Sequence, residues 1–414
     1  MSRLDELIQE LCPEGIEYKT LGEMGRFYSG LSGKSKDDFQ NGNAKFITYR
    51  NVYNNPALRL DVDDTVKIKS GERQNTLQYG DVIFTGSSET PDECGISSVL
   101  TVRTDEKLYL NSFCFIFRFD DESAMLPDFS KHLFRSNELR YQIGKTANGV
   151  TRYNVSKKLM EKVVIPLPPL PVQREIVRIL DNFTELTAEL TAELTARKKQ
   201  YEYYRNLLLT FDERDDVNWY RLDEVFDMKN GYTPSKSVPE FWTNGTIPWF
   251  RMEDIRANGR ILSDSIQHIT PEAVKGGNLF PKNSIILATT ATIGEHALLI
   301  ADSLANQRFT FFTKCKSLDV ELDIKYAYYY FFIIGEWCRE NVNVSSFPSV
   351  DMAKLKKYKF PIPPIETQHR IVSILDRFDT LCNDLTSGLP AEIEARQKQY
   401  EYYRDRLLTF EIKD

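Results

Sequence analysis

Hydrophobic positions follow a helical period over two long stretches of the chain. In the first, from about Val172 to Phe211, apolar residues recur at spacings of three, four or seven, which indicates a helix with one apolar face. At 1.5 Å per residue, such a helix would be roughly 60 Å long. Its apolar positions are Ile176, Leu180, Phe183, Leu190, Leu194, Tyr201, Tyr204, Leu208 and Phe211.

The second stretch repeats this pattern near the end of the chain. It contains Ser387-Gly388-Leu389-Pro390, so we expect a break or a kink there. Two apolar faces of this length in one chain most simply pack on each other in antiparallel directions. The apolar positions of the second stretch are Ile371, Leu375, Phe378, Leu381, Leu385, Tyr400, Tyr403, Leu407 and Phe410.

An internal repeat is the strongest signal in the sequence. Residues 164–183 (VIPLPPLPVQREIVRILDNF) return as 359–378 (KFPIPPIETQHRIVSILDRF), and 200–211 (QYEYYRNLLLTF) return as 399–410 (QYEYYRDRLLTF). The first of these segments opens in both copies with a proline cluster, which cannot lie inside a helix and marks a stiff entry. The globular parts between the repeats diverge, which suggests one shared assembly surface and two different ligands. The prolines are Pro166, Pro168, Pro169, Pro171, Pro361, Pro363 and Pro364.

The segments between the helical stretches alternate between strand and helix patterns, so we predict the α+β fold class. Strands are predicted at 81–84, 113–119, 284–287 and 309–313, and helices at 129–142 and 322–340. The predicted architecture is two tandem α+β domains separated by two long helices that pack as an antiparallel coiled coil, with a pseudo-twofold internal repeat. The predicted bounds are 1–160 and 216–357 for the α+β domains and 161–215 and 358–414 for the helical regions.

Composition limits the function classes. The 414 residues carry a formal net charge of −7, which is unfavourable for a nucleic-acid binder unless cations are concentrated locally or supplied by partners. No run of about 18 apolar residues occurs, so neither export nor membrane insertion is expected and a cytoplasmic protein is predicted. Six scattered cysteines and four distant histidines lack the spacing of a disulfide framework or a metal site, so no metal or cofactor is expected.

At the repeated segments the chain resembles the DNA-specificity subunits of type I restriction-modification systems. The resemblance is carried by Pro166 to Asp181 and Pro361 to Asp376, which match the PLPPLxxQxxIVxxLD-like segment that commonly ends the family's target-recognition domains. The family alternates two such domains with two helical regions, as nearly all of this chain does. The resemblance implies a subunit that reads a bipartite, asymmetric site in double-stranded DNA. It also implies two methylation subunits as partners, with motor-nuclease subunits in the full complex.

The first helix contains a tandem tetrapeptide, Thr-Ala-Glu-Leu at 187–190 and again at 191–194. Each unit would add about 6 Å to a helix, which is close to two base-pair rises of DNA. Taken alone, the tetrapeptide is more simply a good amphipathic helix former. The family resemblance favours a spacer whose copy number sets the distance between half-sites.

Motifs for adenine methylation, DNA cleavage and ATP hydrolysis, the activities of type I complexes, are missing from the sequence. Residues 30–35 (GLSGKS) imitate the end of a phosphate loop, but Tyr28 occupies the place of the required first glycine. No Asn-Pro-Pro-Tyr or Asp-Pro-Pro-Tyr methylation motif occurs, and no glycine-rich cofactor loop follows a strand. The sequence therefore predicts a recognition subunit and not an enzyme.

Candidate DNA contacts cluster before the two proline entries. Residues 131–162 hold eight Lys or Arg against two Glu, a local charge of +6, and include a small polar loop at 144–153 whose counterpart is 344–349. Such loops bring backbone amides to phosphates, while Arg and Asn side chains reach base edges. The predicted DNA-binding residues are Lys34, Arg50, Asn51, Lys145, Asn148, Thr151, Arg152, Tyr153, Lys236, Arg251, Arg308, Ser345, Ser346 and Phe347.

The QYEYYR segments carry tyrosines both on and off the apolar face, more than a two-helix contact needs. Some are therefore expected to face a partner protein, although helix packing alone is an equal alternative. The predicted partner-binding residues are Gln173, Arg174, Tyr201, Tyr203, Arg205, Gln368, Arg370, Tyr400, Tyr402 and Arg404.

Two other functions remain open from the sequence. A structural scaffold, whose duplicated helices organise protein partners without sequence-specific DNA contact, is favoured by the acidic net charge and opposed by the polar loops. A self-contained methyltransferase or nuclease is disfavoured by the missing motifs.

Overall fold

The computed structural model describes residues 2–212, 216–343, 347–384 and 386–413, and its helices alternate with short strands. Helices in the first half of the chain are α1 (Arg3–Leu11), α2 (Leu21–Met24), α3 (Tyr49–Asn54), α4 (Pro127–Leu133), α5 (Asn137–Gly144), α6 (Lys157–Met160) and α7 (Leu170–Leu208). Helices in the second half are α8 (Leu222–Val225), α9 (Met252–Asn258), α10 (Ile324–Glu340), α11 (Met352–Lys356), α12 (Ile365–Asn383) and α13 (Leu389–Leu407). Short 3-10 helices lie at Lys36–Phe39, Pro91–Glu93, Pro239–Phe241, Pro271–Ala273, Lys275–Gly277 and Lys316–Leu318.

The strands confirm the predicted α+β class, and each of the four predicted strands is present. Strands of the first half are β1 (Tyr18–Thr20), β2 (Gly25–Ser29), β3 (Ala44–Ile47), β4 (Thr65–Val66), β5 (Val82–Thr85), β6 (Ser87–Ser88), β7 (Ser97–Val99), β8 (Leu108–Leu110), β9 (Cys114–Phe119), β10 (Ala147–Asn148), β11 (Tyr153–Val155) and β12 (Val164–Pro166). Strands of the second half are β13 (Asn218–Arg221), β14 (Phe226–Asn230), β15 (Ile247–Phe250), β16 (Ile261–Leu262), β17 (His268–Ile269), β18 (Ser284–Ala288), β19 (His296–Leu299), β20 (Leu304–Ala305), β21 (Phe309–Lys314), β22 (Val342–Asn343), β23 (Ser349–Val350) and β24 (Lys359–Ile362).

The chain folds as two compact units. Unit 1 consists of Met1–Leu190 together with Ile393–Asp414, and unit 2 consists of Thr191–Glu392. The boundary in α7 falls inside the tandem tetrapeptide. Each unit therefore combines one globular part with helical segments from both halves of the sequence.

Strand order is the same in the two units. The main sheet is β2-β9-β5-β7 in unit 1 and β14-β21-β18-β19 in unit 2, where β16 adds a fifth, parallel strand. The three-stranded sheets β4-β3-β8 and β17-β15-β20 also correspond, and so do the two-stranded sheets β1-β12 and β13-β24. The sequence duplication is thus a duplication of the whole fold, including the parts whose sequences diverge.

The central strand of each main sheet is apolar on both faces because two cores lie against it. In β9, Phe115 and Phe117 pack with α4 and α5, while Ile116 belongs to a second cluster on the opposite side. In β21, Phe312 and Phe311 divide between two clusters in the same way. Side chains of a strand alternate between faces, so a continuous apolar run is the pattern expected of a strand covered on both sides.

The predicted helices are present, with three corrections. The single helix expected at 129–142 is two helices, because Ser136 caps a new start by accepting a hydrogen bond from the Leu139 amide. Pro171 lies inside the first turn of α7 and not before it, a position where the missing amide hydrogen costs nothing. The first long helix ends at Leu208 and not at Phe211.

The predicted break in the second helical stretch is confirmed between α12 and α13. Asp384 accepts hydrogen bonds from the hydroxyls of Thr386 and Ser387, which closes a polar turn and lowers the Asp384 pKa. At Gly388 a Cβ atom would lie 2.5 Å from the Thr380 carbonyl oxygen, so only glycine allows this close approach. Leu385, predicted on the apolar face, lies outside the described residues.

Each unit contains a helix pair. In unit 1, Phe183 of α7 stacks on Tyr403 of α13, with ring centroids 5.3 Å apart. In unit 2, Tyr201 and Tyr204 of α7 stack on Phe378 of α12 at 6.1 and 5.9 Å. In each unit, α7 therefore packs against a helix of the second helical stretch. No helix of the described residues has the length and apolar content needed to cross a membrane.

Candidate nucleic-acid interface

In unit 1 several segments meet at one end of the main sheet. The hairpin β10-β11 pairs with β6, and its tip at 149–152 stands beside the start of α3 and the residue that precedes β9. Together they form an open cleft of about 730 Å³. The cleft is lined by Tyr49, Tyr53, Ser87, Ser88, Glu89, Glu93, Phe113, Thr151 and Arg152.

Arg152 of the hairpin tip is held over this cleft. Its guanidinium donates to the Ser87 hydroxyl at 3.2 Å and lies 5.5 Å from the centre of the Phe113 ring. Phe113 is 57% exposed, which is unusual for a large apolar side chain. A fixed guanidinium beside an exposed ring can meet both a polar edge and an apolar surface of a ligand.

The cleft also contains residues that were not predicted. Tyr49 and Tyr53 stack with ring centroids 6.1 Å apart, and the Tyr53 hydroxyl donates to Glu93 at 2.9 Å. No sequence signal marks Phe113, because it reads as the first residue of the apolar strand run 113–119. The sequence does not mark the two tyrosines either, because its pattern does not predict the short helix α3.

Two predicted contacts in unit 1 are engaged inside the protein. Lys34 forms an ion pair with Glu72 at 2.6 Å, which holds the Glu72 pKa at about 2. Asn51 is buried, and its amide bridges to the backbone of Arg59 by donating at 2.8 Å and accepting at 3.1 Å. The ion pair joins two loops of unit 1, and burial leaves the Asn51 amide inaccessible to a base.

The other predicted residues of unit 1 remain accessible to different degrees. Arg50 is exposed in the first turn of α3, and Lys145 is exposed with its ammonium 3.9 Å from the centre of the Tyr141 ring. Asn148 is exposed and donates to the Thr146 carbonyl at 3.2 Å. Tyr153 is half-buried in β11, opposite Ser88.

The local charge of +6 at 131–162 overstates the cation density at the surface. Lys131 pairs with Asp128 and Asp181, both at 2.9 Å. Arg135 and Arg140 donate to backbone carbonyls, among them those of Ser97 and Gly95, and burial lowers the pKa of each guanidinium. Three of the eight cations therefore hold the fold together. The exposed members are Lys145, Arg152, Lys158 and Lys162.

Unit 2 carries the corresponding candidates at the same end of its sheet. Arg308 precedes β21 and is exposed, Phe347 lies in the β22-β23 hairpin and is 84% exposed, and Lys236 is exposed. Arg251 caps α9, with its amide donating to Asp254 at 2.6 Å and its guanidinium 5.7 Å from the Trp249 ring centre. Ser345 and Ser346 lie outside the described residues.

Two of the residues predicted to contact a partner are buried where each long helix begins. The Gln173 amide accepts from the Leu126 amide at 2.8 Å and donates to the carbonyls of Ala124 and Pro168 at 3.0 and 2.8 Å. The Gln368 amide does the same with Asp323, Glu321 and Pro363 at 2.9, 2.7 and 2.7 Å. Both glutamines are fully buried, so this geometry supports a clamp between helix and globular part and leaves no atom for a partner. We call these residues the glutamine clamps.

Four further members of that set also face inwards. Tyr201 and Arg205 are buried in unit 2, where the Arg205 guanidinium lies 4.3 Å from the Phe332 ring centre. In unit 1 the Tyr400 hydroxyl bonds to His132 Nδ1 at 2.8 Å, and Arg404 is buried beside Asp405. The exposed members are Arg174, Tyr203, Arg370 and Tyr402.

Comparison with known proteins identifies the fold and its family. The sequence model of the type I restriction modification DNA specificity domain matches residues 13–197 and 214–395. The chain is 53% identical over 202 residues to the specificity subunit of the type I restriction enzyme EcoprrI of Escherichia coli, covering 47% of this chain and 50% of that protein. It is 45% identical over 273 residues to the EcoR124I/EcoR124II specificity subunit of the same species, covering 62% and 65%. The alignments thus span less than two thirds of either relative.

Solved structures agree with the fold over nearly the whole chain. One comes from a study of complex assembly and conformational transition of the type I restriction-modification system, with a TM-score of 0.67 at 17% identity, covering 96% of this chain and 98% of that one. The HsdS subunit of Thermoanaerobacter tengcongensis has a TM-score of 0.50 at 18% identity, covering 96% and 97%. Both family matches fall on the duplicated halves described above. The chain therefore belongs to the type I restriction modification DNA specificity family.

Proposed function

We propose that this chain is the non-catalytic DNA-specificity subunit of a type I restriction-modification complex and reads a bipartite, asymmetric target. The observation that carries the proposal is the duplicated fold, in which the same end of each main sheet presents exposed aromatic and cationic side chains that differ between the units. Two copies of one frame with different exposed residues are what two unlike half-sites require. In this proposal residues 1–160 and 216–357 are the target-recognition domains, and 161–215 and 358–414 are helical spacer regions.

Double-stranded DNA is the proposed ligand, and the accessible candidates supply the contacts. Arg50, Lys145, Arg152, Lys236 and Arg308 are exposed cations that can neutralise phosphates or donate to guanine. The acidic net charge is compatible with this role if the partner subunits also contact the duplex. The proposed partners are two methylation subunits, joined by motor-nuclease subunits in the full complex.

The repeated helical segments suggest how one chain could recruit two identical methylation subunits. Tyr203 and Tyr402 occupy the same place in the two QYEYYR segments, and an arginine follows each glutamine clamp, Arg174 one residue after Gln173 and Arg370 two residues after Gln368. All four are exposed, so each copy of the repeat offers a similar arginine and tyrosine to a partner. A duplicated surface is the simplest way to bind two copies of one protein.

The tandem tetrapeptide is the proposed spacer. Residues 187–194 lie in the middle of α7, where the residues are exposed or half-exposed, whereas Ile176 and Leu180 near the start of α7 are fully buried. The tetrapeptide contributes little to either core. Removing one tetrapeptide copy should therefore shorten the helix by about 6 Å without unfolding unit 1 or unit 2.

Deletion of residues 191–194 tests the spacer directly. The expected result in cells that carry the complete complex is a methylated target with both half-sites intact and a shorter gap between them. Deletion of 187–190 is a matched control that should give the same gap, since the two tetrapeptide copies are identical. An unchanged gap in both variants would reject the spacer.

The scaffold alternative predicts different DNA binding. Neutralisation of several phosphates makes the affinity fall steeply as salt increases. The full chain, with its partner subunits, should therefore lose at least 10-fold in affinity for a labelled duplex between about 50 and 200 mM salt. A flat salt response would favour a scaffold that does not touch DNA.

A further inference from the structure

The two units hold a phenylalanine and an arginine at matched positions, but in exchanged order. The first position is the residue that precedes the central strand. In unit 1 the Gly86 amide donates to the carbonyl of Phe113 at 2.6 Å, and in unit 2 the Thr289 amide donates to the carbonyl of Arg308 at 3.0 Å. Phe113 and Arg308 therefore occupy the same place in the frame.

The second position lies at the tip of the hairpin. In unit 1 Asn154 pairs with Asn148 across the hairpin, and in unit 2 Ser349 pairs with Asn343. The next residue of each hairpin donates to the frame in the same way, Val155 to Gly86 and Val350 to Thr289, both at 2.9 Å. Counting back two residues from Asn154 and Ser349 places Arg152 and Phe347 at equivalent sites.

Exposure separates these side chains from ordinary surface residues. Within the described part of the chain, Phe113 and Phe347 are the two most exposed phenylalanines, at 57% and 84%. An exposed phenylalanine forgoes the stabilisation that burial would supply, so two of them at the mouth of the same frame indicate a ligand surface. In unit 1 the pair is already assembled, with the Arg152 guanidinium 5.5 Å from the Phe113 ring centre.

We propose that these two pairs, Phe113 with Arg152 and Arg308 with Phe347, are base-contacting pairs of the two half-sites, with arginine and aromatic exchanged between the units. This inference rests on the proposed function. Arginine donates two hydrogen bonds to guanine O6 and N7, and phenylalanine packs on the methyl group of thymine. The hairpin tip therefore reads guanine in the first half-site and thymine in the second. The residue before the central strand reads thymine in the first half-site and guanine in the second.

Selection from a randomised pool tests the pairs one by one. The full chain, copurified with its partner subunits, is mixed with duplexes randomised over the target, and the bound duplexes are sequenced. Arg152→Ala should lose roughly 5- to 150-fold of its preference for guanine at one position of one half-site and keep every other position. Arg308→Ala should do the same at one position of the other half-site. Phe113→Ala and Phe347→Ala should each relax a thymine preference.

The exchange itself is tested by the double variant Phe113→Arg with Arg152→Phe. Its first half-site should invert the order of the guanine and thymine preferences, while its second half-site stays unchanged. Arg26→Ala is the matched control. Arg26 is an exposed arginine of β2, and it lies opposite Arg118 in the strand register, at the other end of the same sheet. It should leave both half-sites unchanged.

The outcomes separate this inference from the proposed function. If Arg152→Ala weakens binding to all duplexes equally, Arg152 contacts phosphate and the pair does not read bases. If none of the four alanine variants alters the selected sequence, the inference is equally wrong while the specificity function stands. If the unaltered protein selects no sequence at all, both the inference and the proposed function are wrong.

Discussion

Unit 1 and unit 2 fasten their helices to the globular part with the same glutamine clamp but differ in the contacts that follow it. Eight residues after each clamp is an aspartate that forms an ion pair with a lysine in both units, and its other partner is His132 in unit 1 and Tyr329 in unit 2, at 2.7 and 2.6 Å. His132 uses its second ring nitrogen to bond the Tyr400 hydroxyl at 2.8 Å. The Tyr329 hydroxyl donates to Asp376, and within the described residues no hydrogen bond continues to Tyr201, the counterpart of Tyr400.

The difference leaves the first tyrosines of the two QYEYYR segments, Tyr201 and Tyr400, in unlike surroundings. The Tyr201 hydroxyl, the counterpart of Tyr400, is buried without a hydrogen-bond partner in the described residues. Burial raises the pKa of both tyrosines, and it lowers that of His132, so the imidazole is neutral and one nitrogen accepts from Tyr400. The duplicated sequence thus keeps the clamp and the lysine–aspartate ion pair, and varies the other partner of the aspartate.

Removing a clamp should have the largest effect on stability. Gln173→Ala or Gln368→Ala leaves three buried backbone groups unpaired, and each variant should lose about 2–4 kcal/mol of unfolding free energy in its own unit. Chemical unfolding of both variants measures this. Arg174→Ala, an exposed neighbour, is the control and should change stability by less than about 0.5 kcal/mol. Equal stability of all three variants would contradict the clamp.

Acid should destabilise unit 2 through His296. This residue is fully buried with its ring 4.5 Å from that of Phe332, and burial lowers its pKa to about 3 in the folded protein from 6.5 in the unfolded chain. Its stabilising contribution is complete above pH 7 and falls as the pH drops below about 6.5, by about 2 kcal/mol at pH 5.

Thermal unfolding of wild type and His296→Leu at pH 7 and pH 5 measures this contribution. The variant should lose less stability between the two pH values than the wild type does. His369→Gln, which changes an exposed histidine, should behave like the wild type. A His296→Leu variant with the wild-type pH dependence would contradict the assignment.

The two tyrosines give a matched pair of smaller effects. Tyr400→Phe removes the bond to His132 and should cost about 1 kcal/mol of stability, whereas Tyr201→Phe removes a hydroxyl without a partner and should be neutral or slightly stabilising. Unfolding of the two variants under identical conditions compares them. Equal losses would show that the two units are not different at this contact.

The fold could be predicted further than the site. The proline clusters and the apolar period located both long helices, and Gly388 located the break between α12 and α13. The sequence predicts a partner surface at Gln173 and Gln368, because identity between two repeats does not tell whether a residue serves packing or binding. Their role follows from the carbonyls of Ala124 and Glu321, about 50 residues away in sequence.

Charge counting failed at the site for a similar reason. Arg135 and Arg140 read as surface cations in the sequence, but they point at backbone carbonyls that no sequence pattern places near them. The sequence does not mark Phe113 as a contact residue, because Phe113 adjoins an apolar strand and reads as its first residue. Its matched position with Arg308 depends on backbone hydrogen bonds that become visible only in the folded units.

A genome-wide map of methylated adenines, in host cells with and without this gene, tests the central claim most directly. Two unlike half-sites on a duplicated frame predict a single bipartite, asymmetric motif that is methylated only when the gene is present. Methylation that is unchanged by loss of the gene, or a continuous motif without an unread gap, would contradict the account.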